Sequence, residues 1–208
     1  IEITAGLSLE EVTLIAERID RLPGVSWYSK PERSYPEGDL LSHVIGYVGE
    51  ITPQELQVLF NQGYNASSVL GKAGVEQQYD QLLRGQDGLQ FRTVDARGRR
   101  VGDEEEMILP EQGRNLVLTI DRDLQLLAQE ALGPRIGSVI VTRPGTGEVL
   151  AMVSYPRFNP AEFSGEAGGQ AFRELALDTR SPFVNRPIQS VAAPASTFKI
   201  LMTTAILE

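Results

Sequence analysis

Cysteine is absent from this sequence, histidine occurs once, and no apolar run approaches the length needed to cross a bilayer. Without cysteine there can be no disulfide scaffold, no zinc–thiolate site and no thiol nucleophile. With His43 as the single imidazole, neither a histidine-based metal site nor a Ser-His-Asp triad is expected within the chain. Basic residues are outnumbered, 19 Lys and Arg against 28 Asp and Glu, for a net charge of −9. That balance lacks the concentrated positive surface that nucleic acid or anionic lipid requires. No cofactor is expected. What remains is an ordinary globular composition, 41% hydrophobic over 208 residues, enough for one or two domains. The start at Ile1 and the end at Glu208, inside an apolar helix-like run, read as a piece of a longer polypeptide.

Helix signals come early. Ser8 and Glu11 have capping-box spacing, followed by Leu9, Val12, Ile15, Ala16, Ile19 and Leu22 at helical intervals, with Pro23-Gly24 as the stop. Residues 25–50 read as short extended pieces: Val25–Tyr28, a turn at Tyr35–Gly38, and apolar His43–Val48 interrupted by Gly46. His43 has no neighbouring histidine and reads as a hydrogen-bonded structural residue rather than a ligand or base. A second helix starts at Thr52, Pro53 and Glu55, buries Leu56, Leu59 and Phe60, and stops at Gly63. A third spans Val75 to Arg84. Gly71-Lys72-Ala73-Gly74 before it lacks the Walker spacing and reads as a tight turn into the helix.

The alternation over Gly88–Asp95 predicts a half-exposed strand, turned by Asp95–Gly98 into a hairpin partner near Arg99–Val101. The acidic run Asp103–Glu106 lacks the spaced ligands of a calcium loop and reads as a solvated connector. Leu116–Ile120 reads as a buried strand, and Asp121 as the cap of a helix over Arg122–Leu132. Ser138–Val141 and Val149–Val153 form a hairpin around Pro144-Gly145-Thr146-Gly147, where the proline fixes one φ and Gly145 is a position tolerant of positive φ. The texture change places a domain boundary near Gly113. The fold class is α+β.

The last segment carries the chemistry. Ser196 and Lys199 sit three residues apart at the start of an apolar stretch, Ile200–Leu207, long enough for a buried helix. That spacing puts both side chains on one helix face. A serine hydroxyl attacks only when a base takes its proton, and a lysine serves as that base when burial and the helix dipole disfavour its charge. The backbone N–H groups of a helix start could hold an oxyanion. Ser-x-x-Lys therefore reads as acyl-transfer machinery, Ser196 the nucleophile and Lys199 the general base. The same spacing also arises by chance, and the pair alone leaves both readings open.

Wider context supplies a resemblance. Pro194-Ala195-Ser196-Thr197-Phe198-Lys199 resembles the Pro-Gly-Ser-Thr-x-Lys signature of class B penicillin-binding proteins, and Asn185-Arg186 the Asn-Arg that precedes it. Pro144–Pro156 is similar to the hairpin that opens the family's transpeptidase domain, and Leu118–Asp121 with Gln125 to its first strand and helix. His43–Gly49 and Gly71–Glu76, with Tyr79, Leu83-Arg84-Gly85 and Gly88, look like the non-catalytic pedestal of elongation-type members. The family pattern is departed from in three places. Ala195 replaces the usual glycine, tolerable only at negative φ, and Ala193 replaces the usual tyrosine. The Ser-x-Asn and Lys-Thr-Gly elements that complete such a site are absent from the chain.

The resemblance implies a dimerisation-type pedestal over 1–113, followed by the truncated start of a serine β-lactamase-like transpeptidase domain over 114–208. The implied activity is peptidoglycan D,D-transpeptidation in cell-wall elongation through an acyl-serine, with β-lactams acylating the same residue. The 208 residues alone are expected to be inactive and to form no stable penicilloyl adduct. Implied partners are stem peptides, β-lactams, a membrane glycan polymerase of the shape, elongation, division and sporulation (SEDS) type, RodA-like, and a scaffold of the MreC kind. The implied location is the outer face of the cytoplasmic or inner membrane, through an anchor helix outside this chain. Two rivals are a non-catalytic docking module that activates the polymerase, and a β-lactam-sensing receptor.

Overall fold

The computed structural model describes residues 3–4, 6–27, 33–95, 100–163, 168–191 and 193–207. Ile1, Glu208, Tyr28 and most of the Asp95–Gly98 turn, all invoked above, lie outside them. Two compact units divide the chain, Ile1–Ser34 and Tyr35–Glu208. Among the described residues, helices alternate with three separate two-stranded antiparallel sheets, an α+β arrangement.

In the first unit, α1 (Leu9–Ala16) begins with the expected capping box. Ser8 Oγ accepts from Glu11 N, and the Glu11 carboxylate accepts from Ser8 N at 2.8 Å. The α-helix stops earlier than the apolar spacing predicts, and a 3-10 turn, Ile19–Arg21, carries the remainder. Val25–Trp27 forms no strand.

The second unit opens with the predicted turn, Gly38 N donating to the Tyr35 carbonyl at 3.0 Å. The expected extended piece at His43 is instead a short helix, α2 (Ser42–Ile45), followed by β1 (Val48–Glu50). Gly46 ends α2 at φ 81°, and a Cβ there would lie 2.0 Å from the Ala73 carbonyl oxygen. The backbone of the Gly71–Gly74 turn thus abuts the end of α2, which is what the glycines permit.

Helix α3 (Pro53–Leu59) has the full Thr52/Glu55 capping box. Its chain then tightens into a 3-10 turn, Phe60–Gln62, which swings Phe60 off the buried stripe to 66% exposure, contrary to expectation. β2 (Val69–Gly71) pairs with β1, and Lys72 beyond it meets Glu55 at 2.5 Å. That contact, added to the Thr52 backbone bond, lowers the Glu55 carboxyl to about 2.

The third predicted helix breaks in two at Tyr79, giving α4 (Gly74–Gln78) and α5 (Asp80–Arg84). Asp80 is used elsewhere: one carboxylate oxygen accepts from Gly71 N at 2.7 Å and the other from the Tyr64 hydroxyl. The break at Tyr79 lets the second short helix start at that aspartate.

β3 (Leu89–Val94) and β4 (Arg100–Ile108) form an antiparallel ribbon with a bulge between Arg92 and Val94. The acidic run is strand, not connector: Glu105 and Glu106 pair with Arg92 and Phe91. Backbone pairing along a two-stranded ribbon outweighs the low strand preference of acidic residues.

α6 (Arg122–Leu132) starts where predicted, with Asp121 Oδ1 accepting from Asp123 N and Leu124 N, each at 3.0 Å. It packs on the hairpin of β5 (Gly137–Thr142) and β6 (Val149–Tyr155). Ala128, Ala151 and Val153 are buried there, flanked by Leu124, Leu132, Val139 and Val141. The positive φ of the hairpin turn falls on Gly147, at 78°, rather than on Gly145.

The predicted strand Leu116–Ile120 does not form. Thr119 Oγ1 donates to the Val149 carbonyl at 2.6 Å and Asp121 N to that of Leu150 at 2.8 Å. Those are isolated bonds along β6, without a ladder. Leu118 and Ile120 are half-buried but Val117 is 92% exposed, so the run is covered on one side at most, and an apolar segment becomes a buried strand only when both faces are covered. The chain continues through α7 (Gly168–Leu177) and α8 (Arg186–Gln189) to a final helix, α9 (Phe198–Leu207).

Candidate active site

Ser196 lies in a 3-10 turn, Ala195–Thr197, that runs directly into α9, and Lys199 is the second residue of that helix. Both are exposed, as is every described residue of α9. The helix is therefore present as predicted, but its expected burial is not. Its principal packing partner is the turn before it, so Ile200, Leu201 and Ile206 face solvent. No hydrogen bond links Ser196 to Lys199 among the described residues, and no carboxylate there pairs with the Lys199 ammonium.

Ala195 adopts φ 46°, the left-handed region in which a methyl group is costly. Ala195→Gly should relieve that strain by more than it adds to unfolded-chain freedom, a net of about 0.5–1 kcal/mol. The readout is local: amide exchange over 197–204 should slow by about two- to fivefold. Unchanged or faster exchange would contradict the strain.

The approach to the serine is held by buried polar contacts. Ser154, 1% exposed, donates through Oγ to the Val184 carbonyl at 2.9 Å and accepts from Arg186 N at 3.2 Å. The Arg186 guanidinium reaches back to the carbonyls of Arg180 (2.6 Å), Ser181 (3.2 Å) and Val184 (3.4 Å). Asn185 and Arg186, singled out in sequence, thus close a tight loop upstream of Ser196.

His43, 8% exposed, meets this loop. Its Nε2 lies 2.7 Å from the Pro182 carbonyl, its Nδ1 lies 3.3 Å from Ser42 Oγ, and its own carbonyl accepts from Asn185 Nδ2 at 3.1 Å. A carbonyl only accepts, so Nε2 carries the proton and Nδ1 accepts from Ser42. Burial pushes the imidazole below its ordinary value, the Pro182 carbonyl opposes this, and the Arg186 and Arg157 guanidiniums add to the fall. His43 is the hydrogen-bonded structural residue the sequence suggested.

Gln125, 1% exposed, makes a second tie. Nε2 donates to the carbonyls of Leu40 (3.0 Å) and Met152 (2.9 Å), while Oε1 accepts from Met152 N at 2.8 Å. Arg157 lies 3.0 Å from Asp39, and Arg122 3.1 Å from Glu37. Beside them, Tyr47 and Phe158, Phe163, Phe172 and Phe183 form one ring cluster, with centroids 4.9–5.9 Å apart. Ser154 and Tyr47 fall within stretches that carry the resemblance, but neither they nor the four phenylalanines stand out individually in the sequence. The rings follow neither strand nor helix period, so the only available signal was their local density.

Comparison with known proteins gives a consistent relation. The profile described as "Penicillin-binding Protein dimerisation domain" matches residues 1–118, and that of the "Penicillin binding protein transpeptidase domain" matches 137–208. The chain is 35% identical over 202 residues to the peptidoglycan D,D-transpeptidase MrdA of Acinetobacter baumannii, covering 96% of this chain and 30% of that one. It is 36% identical over 212 residues to MrdA of Escherichia coli K12, covering 100% and 33%. It thus spans about a third of the length of these curated relatives. Among solved structures, the complex of penicillin-binding protein PBP2 with MreC from Helicobacter pylori aligns with TM-score 0.81 at 27% identity, over 100% of this chain and 38% of that one. Pseudomonas aeruginosa PBP2 in complex with WCK 5153 aligns with TM-score 0.70 at 34% identity, over 86% and 36%. The pedestal-type front, the partial transpeptidase fold behind it and the likeness to PBP2 agree with the resemblance read from the motifs, and the chain belongs to the penicillin-binding proteins.

Proposed function

We propose that this chain is part of a peptidoglycan D,D-transpeptidase of cell-wall elongation, with Ser196 as nucleophile and Lys199 as general base. The observation that carries the reading is the position of Ser196 and Lys199, three residues apart at the mouth of α9, within the segment matched by the transpeptidase profile. In the reaction, Ser196 Oγ attacks the carbonyl of the penultimate D-Ala of a stem peptide while Lys199 Nζ takes its proton. Collapse of the tetrahedral intermediate breaks the peptide bond, the proton passes to the departing D-Ala amine, and an ester to Ser196 remains. The amine of a neighbouring strand then attacks the ester and restores the serine hydroxyl. A β-lactam follows the first half of this path and stalls as the acyl-serine.

Lys199 can accept a proton only as the free amine, and burial is what favours that form. The uncovered apolar surface of α9 is where a further layer would bury the pair, so the 208 residues by themselves are expected to remain unacylated. The boundary between pedestal and transpeptidase parts is placed near Gly113. The substrate lies outside the cytoplasm, which puts the protein on the extracytoplasmic side of its membrane, held there by an anchor. Among the described residues, no helix is long and apolar enough to cross a membrane. An MreC-like scaffold is the proposed partner by analogy with the H. pylori complex, and a RodA-like polymerase by the family resemblance. The deciding experiment uses a polypeptide in which this chain is continued to the relatives' full length, labelled with fluorescent penicillin and mapped by peptide mass spectrometry. An adduct on Ser196 is expected; an adduct elsewhere, or none, overturns the reading.

A further inference from the structure

From Ile188 to Leu207 every described residue is exposed, whereas Pro182 is buried and residues 183–187 are half-buried. The loop at 182–187 is thus the last part of the chain enclosed by the fold before Ser196, and residues 188–190 are hydrogen-bonded to it. Ser154 and the Arg186 guanidinium fasten that loop to β6 and to itself. His43 fastens it to the front of the unit, 139 residues away in sequence from Pro182. It does so at both ends of the loop, through its ring at Pro182 and its carbonyl at Asn185. The ring is also braced edge-on against Phe158, at 5.1 Å and 71°.

We infer that His43 is a positioning residue for Ser196, holding the 182–186 loop so that the serine is presented from a fixed base. This rests on the serine reading above. His43 touches neither nucleophile nor base; it acts through Pro182 and Asn185. The groups facing the ring are Ser42 from its own helix, the Arg157 guanidinium beyond β6, which is paired with Asp39, and Arg186 from the loop. Two cations and burial oppose an imidazolium there. The neutral ring is therefore the favoured form, and the Nε2–H bond to Pro182 is available in either charge state.

Two variants separate this role from simple packing. His43→Phe keeps a ring against Phe158 but leaves the Pro182 carbonyl without its donor. His43→Gln keeps an N–H that can reach it. In the 208-residue chain, the Phe variant should speed amide exchange over 183–190 by about tenfold, the loss of one buried hydrogen bond, and Gln should restore most of that protection. In the polypeptide continued to full length, Phe should slow acylation by fluorescent penicillin by about tenfold, with Gln within about threefold of the parent. Parent-like acylation in His43→Phe, alongside none in Ser196→Ala, overturns the positioning role and leaves the serine reading intact. Labelling that survives Ser196→Ala defeats the serine reading itself. Should the Phe variant fail to fold, Asn185→Ala decides, since it cuts the tie to the His43 carbonyl: acylation at the parent's rate overturns the inference.

Discussion

Ser196→Ala, in a polypeptide continued to the relatives' full length, should lower the rate of penicillin labelling by about 10⁴-fold or more. Alanine removes the attacking oxygen and nothing else nearby replaces it. Thr197, the adjacent hydroxyl, donates to the Pro194 carbonyl and is turned back into the turn that precedes the helix. Ser196 is exposed and its side chain makes no hydrogen bond among the described residues, so its loss should shift stability by no more than about 0.5 kcal/mol. The pairing of these two results is what discriminates. A large kinetic loss with an unchanged melting curve marks a catalytic group, whereas a loss that tracks unfolding would mark a structural one. Labelling at the parent's rate would move the nucleophile to another residue.

Gln125→Met should destabilise the second unit by about 3–5 kcal/mol. Methionine nearly matches glutamine in shape, so packing around α6 is largely preserved. The hydrogen bonds are not. The Met152 N–H and the Leu40 carbonyl lose the partner that the side chain gave them; Leu40 is buried and Met152 half-buried, so water replaces these bonds poorly. An unmade bond to a buried group costs about 1–3 kcal/mol, and three such bonds converge on this amide. Urea denaturation of the 208-residue chain gives the value. A loss below about 1 kcal/mol would mean that neighbouring groups or water take over the contacts.

Local chemistry was legible in the sequence and long-range closure was not. The caps at Ser8, Thr52 and Asp121 follow from side chains that reach their own helix within three residues, and each is found as expected. The hairpin after Gly137 and the helix following Ser196 belong to the same class. Failures arise where a distant or absent partner decides. Leu116–Ile120 has strand-forming residues but no ladder to join, and Asp103–Glu106 has poor ones yet is paired by β3. Tyr79 breaks a helix because Asp80 serves Gly71 and Tyr64. For the candidate site, the serine and lysine were visible as a motif, and their burial was inferred from apolarity that the structure leaves uncovered. The ties from Leu40 to Gln125 and from His43 to Pro182 span 85 and 139 residues, distances at which a single sequence carries no pairing signal.

Glu55 serves as a keystone. One carboxylate both begins α3, by holding the Thr52 N–H at 2.7 Å, and grips Lys72 at the exit of β2. Its folded value near 2, against 4.5 for the free group, means that its support is complete above 4.5 and is surrendered as acidity carries the pH down through about 2. A single proton arriving there loosens helix and strand together, so circular dichroism followed down an acid series should register one step for this corner rather than two.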